Sequence, residues 1–222
     1  MGILFAFDFD LTITSQQTHN IIYKNRLDRA DKDEQWKVVQ PIEPRGEAQQ
    51  WRILFQDLID NGHQITIISY NNFPDIVGRY LRDKIGLSED VLNKIYINCW
   101  MPDDMEFGKN IHIQQSLKHF GSKLSNSKVV LVEDSKYNLQ MANKANLLIK
   151  NGSILAPITE ADICPNNPNI VNSAPHIKQV MELSLSLKQL TISENKSAFF
   201  SRPYESKDHH AQTQHKPRCI IL

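Results

Sequence analysis

The sequence lacks the cysteine pattern of a disulfide-bonded or zinc-binding protein. Its three cysteines, Cys99, Cys164 and Cys219, are scattered and form no CxxC pair. This usage indicates neither a disulfide framework nor a zinc site, and it suits a reducing cytosol. Long apolar runs are also missing. The apolar opening at 1–7 is ended by two aspartates and is much too short for a signal-peptide core or a membrane span.

An excess of charge is missing too. The chain of 222 residues carries 25 Lys+Arg and 25 Asp+Glu, so no global field draws it to nucleic acid or to an anionic surface. No basic stripe accompanies the tryptophans, and we expect no nucleic-acid partner. Any affinity for a membrane must therefore come from one particular segment of the chain. The length predicts one domain with an appendage, which we expect to be monomeric.

Hydrophobic periodicity predicts alternating strands and helices. Short runs rich in Ile, Val, Leu and Phe predict buried strands at 3–7, 64–69, 95–98, 129–133 and 146–150. Amphipathic stretches predict helices at 47–61, 74–84, 110–120 and 136–144. This alternation is typical of an α/β fold with a doubly wound, mostly parallel sheet.

The C-terminal part has a different character. An apolar helix is predicted at 174–190, followed by a polar, histidine-rich stretch that can bury almost nothing before the last three residues. We therefore expect a core at 1–190 and a flexible tail at 191–222.

Polar residues that can carry chemistry follow three of the predicted strands. Asp8 and Asp10 follow the first strand, Ser69 ends the second, and the Glu133-Asp134 pair ends the fourth. Ligands of such sheets bind beyond the carboxyl ends of the strands. These segments are therefore expected to meet in one crevice.

The segment Asp8-Phe9-Asp10-Leu11-Thr12 suits phosphoryl transfer. One carboxylate can attack phosphorus while its neighbour acts as general acid and then base. Mg²⁺ would hold the anionic phosphate against the anionic nucleophile.

Four segments together resemble the ordered motifs of the haloacid-dehalogenase-like superfamily. They are DFDLT, ITIISYNN, GKN and VVLVEDSKYN, and the resemblance covers about residues 3–150. It implies a Rossmann-like core and a phosphatase that forms an aspartyl-phosphate.

The resemblance also implies a role for each matching position. Asp8 matches the nucleophile and Asp10 the acid/base, while Thr12 and Ser69 match the hydroxyls that bind phosphate. Lys109 matches the cation that neutralises the transferring phosphoryl group. Lys118 is an alternative, but it falls late in its helix, where lysines commonly interact with the helix dipole.

The fourth motif supplies the metal position. Asp134 is implied as a Mg²⁺ ligand together with the Asp8 carboxylate and the Asp10 backbone carbonyl. Glu133 stands where an aspartate is commoner, so we expect it outside the ligand set, pairing with Lys109. Asn138 keeps the rest of the motif, whereas Leu11 replaces a frequent glycine.

Relatives of this kind often carry a cap domain, and the spacing here leaves room only for a minimal one. About 30 residues separate Thr12 from the Pro44 turn, and about 40 separate Ser69 from Lys109. An open crevice favours a phosphate displayed on a phosphoprotein or a lipid headgroup, and metabolite phosphates remain an alternative. The charged stretch 27–36 is either a substrate-facing flap or a solvated surface.

The last four residues, Cys219-Ile220-Ile221-Leu222, fit a prenylation box whose final leucine indicates geranylgeranyl. We expect peripheral attachment to the cytosolic face of a membrane, weakly supported by Lys207, Lys216 and Arg218. Because prenylation needs eukaryotic enzymes, the protein is either eukaryotic or a bacterial effector delivered into a host cell.

The leading hypothesis is a Mg²⁺-dependent phosphomonoester hydrolase acting near a membrane. The first alternative is a membrane-tethered module that binds phosphate without turnover. The second is a phosphotransferase or phosphomutase, which passes the phosphoryl group to an acceptor other than water.

Overall fold

The computed structural model describes residues 2–28, 30–103, 105–121, 124–157 and 174–200, with side chains except at 125–128 and 190–200. The chain divides into two units, Met1–Ser186 and Leu187–Leu222. The sheet and the candidate site belong to the first unit. No helix among the described residues has both the length and the apolar character needed to cross a membrane.

Five parallel strands form one sheet. They are β1 (Gly2–Asp8), β2 (Gln64–Ser69), β3 (Ile95–Cys99), β4 (Leu124–Glu133) and β5 (Leu148–Leu155), in the spatial order β3-β2-β1-β4-β5. This confirms the predicted parallel α/β sheet. The strand order reverses where β1 lies between β2 and β4, and a crevice opens at such a point beyond the carboxyl ends.

Helices connect the strands. They are α1 (Thr18–Lys24), α2 (Lys32–Val39), α3 (Ala48–Asp60), α4 (Pro74–Tyr80), α5 (Glu89–Leu92), α6 (Asn110–Phe120), α7 (Lys136–Lys144) and α8 (Pro175–Phe200), with a short π-helical turn at Leu81–Ile85 after α4.

Both faces of β1 are buried, which explains its unbroken apolar sequence. Leu4 and Ala6 pack with Ile113 of α6 on one face. Phe7 meets Trp51 of α3 edge-on, with ring centroids 6.0 Å apart. Alternate side chains of a strand point to opposite faces, so helices on both sides of the sheet fix the position of its carboxyl end.

Several boundaries differ from those predicted. Strand β5 continues to Leu155, because Asn151, at φ 61°, and Gly152 form an irregularity within the strand instead of ending it. Helix α8 extends to Phe200 and includes the first part of the predicted tail. The segment 191–200 contains no proline to stop a helix.

A small helical insertion, α1 and α2, separates Thr12 from the Pro44 turn. None of the described residues of the stretch 27–36 lines the crevice, which favours a solvated surface over a substrate-facing flap. Trp36 is buried, and the Arg79 guanidinium of α4 lies 4.8 Å from the centroid of its ring. This contact holds α2 against α4. Of the two inserted helices, α1 is the one whose described residues line the crevice.

Candidate active site

Asp8 is the last residue of β1, and its side chain lies at the bottom of the crevice. The residue is 3% exposed. The Thr12 hydroxyl donates a hydrogen bond of 3.3 Å to Asp8 Oδ2. The loop after β1 therefore turns back on the strand and places a hydroxyl beside the carboxylate.

That loop has an unusual backbone. Leu11 adopts φ 61°, a left-handed conformation that costs a non-glycine residue energy. Two buried side chains from distant segments contact the loop carbonyls: Arg45 Nη1 donates 2.6 Å to Leu11 O, and His176 Nε2 lies 3.1 Å from Thr12 O. We infer that these contacts hold the strained loop in place.

Lys109 reaches the same point from the residue before α6. It is 3% exposed, and its ammonium contacts Asp8 Oδ1, with Glu133 Oε2 at 2.9 Å and the Ile68 carbonyl at 3.3 Å. Burial lowers the pKa of Lys109, but the Asp8 and Glu133 carboxylates raise it more, so the side chain stays charged. The expected pair between Glu133 and Lys109 is present.

Gly108 makes the entry to α6 possible. It adopts φ 56°, and a Cβ added there would lie 2.8 Å from Asn138 Oδ1. A side chain at this position would push the loop away from α7. The glycine before Lys109 therefore lets the two motifs pack closely.

The strand end of β4 adds two more carboxylates. Oxygen atoms of Asp8, Glu133 and Asp134 all lie within 4.8 Å of one another. Burial and Glu133 raise the pKa of Asp8 against the opposing effect of Lys109, and burial with Glu133 raises the pKa of Asp134 to about 6. Three carboxylates face one ammonium, an excess of negative charge that a cation would relieve.

Oxygen donors of this kind are the ligands that Mg²⁺ prefers. Glu133 was expected to pair with Lys109 and not to bind metal; it makes that pair, and its carboxylate also lies within this group. The Asp10 carboxylate is directed elsewhere.

Asp10 is anchored to the start of α1. Its Oδ1 accepts hydrogen bonds from the Thr18 amide at 2.8 Å and the Thr18 hydroxyl at 2.5 Å. Asn71 Nδ2 donates 2.7 Å to the same hydroxyl. Burial raises the pKa of Asp10, although the Thr18 bonds oppose it. A raised pKa favours the protonated form that a general acid needs near neutral pH.

Two further predicted residues, Ser69 and Asn138, line the same crevice. Ser69 is buried and accepts a hydrogen bond from the Asn71 amide at 3.1 Å. Asn138 Oδ1 accepts a long bond of 3.5 Å from the Tyr70 hydroxyl. Lys118, the alternative cation, lines a different cavity.

These groups line a cavity of about 410 Å³. Its wall is formed by the ends of β1, β2 and β4, the start of α1 and the loop before α6, through Asp8, Asp10, Gln17, His19, Asn20, Ser69, Tyr70, Asn71, Met105, Lys109, Glu133, Asp134, Ser135, Tyr137 and Asn138. Lys109 is the single cationic residue among these described lining residues.

Sequence reasoning missed the residues that hold the catalytic candidates in place: Thr18, Asn71, Arg45 and His176. Asn71 is two residues beyond Ser69, and its polar type beside a strand end was a usable signal. Arg45 and His176 bind main-chain carbonyls of a loop that is remote from them in sequence. Hydrophobic periodicity cannot predict such contacts. Cys219 lies outside the described residues.

Comparisons with known proteins give only distant similarities. No protein-family model and no curated protein matches the chain. Among solved structures, an apo phosphoserine phosphatase is 16% identical with a TM-score of 0.46, over 75% of this chain and 99% of that one. A substrate-bound phosphoserine phosphatase complex is also 16% identical with a TM-score of 0.46, over 72% and 94%. The Legionella pneumophila effector Ceg4 is 13% identical with a TM-score of 0.48, over 82% and 94%.

Proposed function

We propose that the chain is a Mg²⁺-dependent phosphomonoester hydrolase that forms a phospho-enzyme on Asp8. The observation that carries the proposal is the convergence of four groups from three separate segments. Lys109 contacts the Asp8 carboxylate and Glu133, and Asp134 completes a cluster of oxygens within 4.8 Å. Ion-pair networks with a purely structural role also perturb pKa values. The cluster of Lys109 and the three carboxylates differs from such networks, because it lies where the strand order reverses and it opens into a cavity.

The first half of the reaction forms the intermediate. An Asp8 carboxylate oxygen attacks phosphorus, and the bond from phosphorus to the leaving-group oxygen breaks. Asp10 gives its proton to that oxygen, so the product leaves as a neutral alcohol. Lys109 stabilises the negative charge on the transferring group, and the Ser69 hydroxyl, which lines the cavity, donates to a phosphoryl oxygen. The Thr12 hydroxyl, which was expected to bind phosphate, instead orients the nucleophile through its hydrogen bond to Asp8 Oδ2.

The second half restores the enzyme. Asp10, now a carboxylate, takes a proton from water as the water attacks phosphorus. The bond between phosphorus and Asp8 breaks, releasing inorganic phosphate and a free Asp8 carboxylate. Asp10 ends the cycle protonated, as it began.

The metal would be held by the carboxylates of Asp8 and Asp134, with the Asp10 backbone carbonyl as a third ligand. When bound, Mg²⁺ offsets the charge between an anionic nucleophile and an anionic phosphate. The cluster contains more carboxylates than cationic groups, so a bound divalent cation would balance its charge. Glu133 serves the site by fixing the Lys109 ammonium between itself and Asp8.

An open cavity suits a large substrate. The insertion between Thr12 and Pro44 contributes only Gln17, His19 and Asn20 to the described lining residues, so no separate cap domain encloses the site there. We propose a phosphoprotein or another bulky phosphorylated body as the substrate.

We further propose that Cys219 is prenylated and that the enzyme acts on the cytosolic face of a eukaryotic membrane, in a host cell if the protein is an effector. The support is the C-terminal Cys-Ile-Ile-Leu sequence. Mass analysis after expression in eukaryotic cells tests it, with Cys219→Ser as the control. A free thiol on the wild-type chain would contradict the anchor.

Phosphate release from acetyl phosphate and p-nitrophenyl phosphate tests the catalytic proposal. Asp8→Asn and Asp10→Asn should each abolish release, and chelation of Mg²⁺ should do the same in the wild type. Asp57→Asn, an exposed aspartate on α3, is the matched control and should keep full activity. Intact turnover in Asp8→Asn would refute the mechanism. Wild-type transfer to added alcohols in place of water would indicate a phosphotransferase.

A further inference from the structure

Exposure changes steeply from the bottom of the cavity to its rim. Asp8, where phosphorus must arrive, is 3% exposed, and Ser69 is 2% exposed. At the rim, Met105 is 45% exposed and Tyr137 is 48% exposed. A substrate must therefore extend its phosphate well below the surface on which the rest of its body remains.

Part of the cavity wall is aromatic and apolar, beside polar lining residues such as the exposed Gln17 and Asn20. Tyr70, Met105 and Tyr137 line the cavity from three different segments. The Tyr137 hydroxyl donates to the Glu106 carbonyl, and the Tyr70 hydroxyl donates to Asn138 at 3.5 Å. Burial raises the pKa of Tyr70 to about 12, so its ring stays neutral. The Tyr70 ring lies 5.3 Å from Lys109 Nζ and meets His112 edge-on at 5.6 Å. The Tyr137 ring and the Met105 thioether are therefore the surfaces that a flat apolar group would contact.

The charge of the cavity selects against a second anion on the substrate. The described lining residues include four carboxylates, and the single cation, Lys109, is already paired with Asp8 and Glu133. The carboxylate of a free phospho-amino acid or the extra phosphates of an inositol lipid would find no unpaired Lys or Arg among the described lining residues. An unpaired charge in such a site carries a large desolvation cost.

From these features we propose that the substrate is an aryl phosphomonoester, which in a protein is a phosphotyrosyl side chain. This inference rests on the proposed function and names its substrate class. The aryl ring would lie between the buried Asp8 and the exposed rim, where its faces would contact Met105 and Tyr137. The phosphorus–oxygen bond of the ester breaks, the phosphoryl group passes to Asp8, and the phenol leaves with the proton of Asp10.

An alkyl phosphate fits these features less well. A phosphoserine or phosphothreonine side chain places phosphorus much closer to its own peptide backbone. To reach Asp8, that backbone would have to enter the cavity and bury its amide groups without partners. Its short side chain would also leave the aromatic wall uncovered.

The test compares three peptides of one neutral sequence that carry phosphotyrosine, phosphoserine or phosphothreonine. The wild-type enzyme should prefer the phosphotyrosyl peptide by about 50-fold or more in kcat/KM. Tyr137→Ala and Met105→Ala should each lower kcat/KM for that peptide about five- to tenfold. Acetyl phosphate is too small to reach the rim, so in both variants the ratio of kcat/KM for the phosphotyrosyl peptide to kcat/KM for acetyl phosphate should fall.

Two further variants serve as controls. Tyr137→Phe keeps the ring and should behave as the wild type. Phe107→Ala removes an aromatic residue that is 56% exposed on the same loop but is absent from the cavity wall, and it too should change neither substrate. Equal or better turnover of the phosphoserine or phosphothreonine peptide, or a loss in Phe107→Ala as large as in Tyr137→Ala, would overturn the inference.

The acetyl phosphate measurement separates this inference from the proposed function. Asp8-dependent turnover of acetyl phosphate without a phosphotyrosine preference would refute the substrate class alone. If neither acetyl phosphate nor any of the peptides were hydrolysed, the proposed function would fall and the substrate class with it.

Discussion

Replacing Lys109 by methionine removes the one cation in the carboxylate cluster while nearly keeping the side-chain volume. Asp8 and Glu133 would then face each other as buried carboxylates, since both are almost fully buried. Removing one partner of a buried ion pair costs about 3 to 5 kcal/mol. We expect a loss of that size in the free energy of unfolding at neutral pH, together with loss of phosphatase activity.

The pH dependence of this loss is diagnostic. Without the ammonium, the folded-state pKa of Asp8 rises further above the unfolded value, because Lys109 no longer opposes the effect of burial. The folded variant then binds protons more tightly than the unfolded chain, so its stability increases as pH falls. The deficit relative to the wild type should shrink by about 1.4 kcal/mol for each pH unit over which one carboxylate becomes protonated.

Urea unfolding of wild type and Lys109→Met between pH 5 and about 8 measures both effects. Lys84→Met is the matched control, because Lys84 pairs with the exposed Glu43 at 2.8 Å. Such a surface pair contributes about 1 kcal/mol or less, with weak pH dependence in this range. A deficit in Lys109→Met as small and pH-independent as that of Lys84→Met would refute the buried cluster.

Three further predictions concern the surroundings of the site. Gly108→Ala should lower the free energy of unfolding by about 1 to 3 kcal/mol and reduce kcat, because its φ is 56° and the new Cβ would lie 2.8 Å from Asn138 Oδ1; wild-type values would contradict this. Burial lowers the pKa of His112 to about 4, below its unfolded value, so folding favours the neutral ring. The shift should therefore add about 3 kcal/mol or less to the free energy of unfolding above pH 6.5, and this stabilisation should be lost as pH falls towards 4. In urea unfolding, the stability of His112→Gln should lack this pH-dependent loss. Burial also raises the pKa of Cys99, which is 8% exposed, so in a Cys164→Ser, Cys219→Ser background a thiol reagent should label it slowly until urea unfolds the chain. Rapid labelling of the native protein would show that Cys99 is accessible.

The sheet and the meeting of the motifs could be predicted because they follow from local patterns. Each buried parallel strand carries a continuous apolar run, and all carboxyl ends of such strands lie at one edge. The shared edge of the strand ends is sufficient to predict that Asp8, Ser69 and the Glu133-Asp134 pair lie close together. The end of α3 could also be predicted, because Asn-Gly commonly ends a helix. Gly62 adopts φ 78°, a conformation that glycine favours.

The details that local patterns could not supply depend on contacts remote in sequence. Leu11 stands where glycine is frequent, but the sequence does not show which contacts hold its left-handed backbone. Arg45 binds the Leu11 carbonyl and His176 lies beside the Thr12 carbonyl. Asn151-Gly152 suggests a turn, yet pairing with β4 keeps the chain in the sheet. The anchoring of Asp10 by Thr18 likewise depends on where the inserted helix α1 packs.

Trapping the phospho-enzyme tests the central claim most directly. Asp10→Asn is mixed with p-nitrophenyl phosphate and Mg²⁺, quenched in acid and digested, and the peptide that contains residue 8 is examined by mass spectrometry. The good leaving group allows attack without the acid, and the missing base slows hydrolysis, so the phosphoryl group should accumulate on Asp8 and be absent from Asp8→Asn. The mechanism would be contradicted if the wild type hydrolysed the substrate but the Asp10→Asn trap carried no phosphoryl group on Asp8. A phosphoryl group on another residue would contradict it as well.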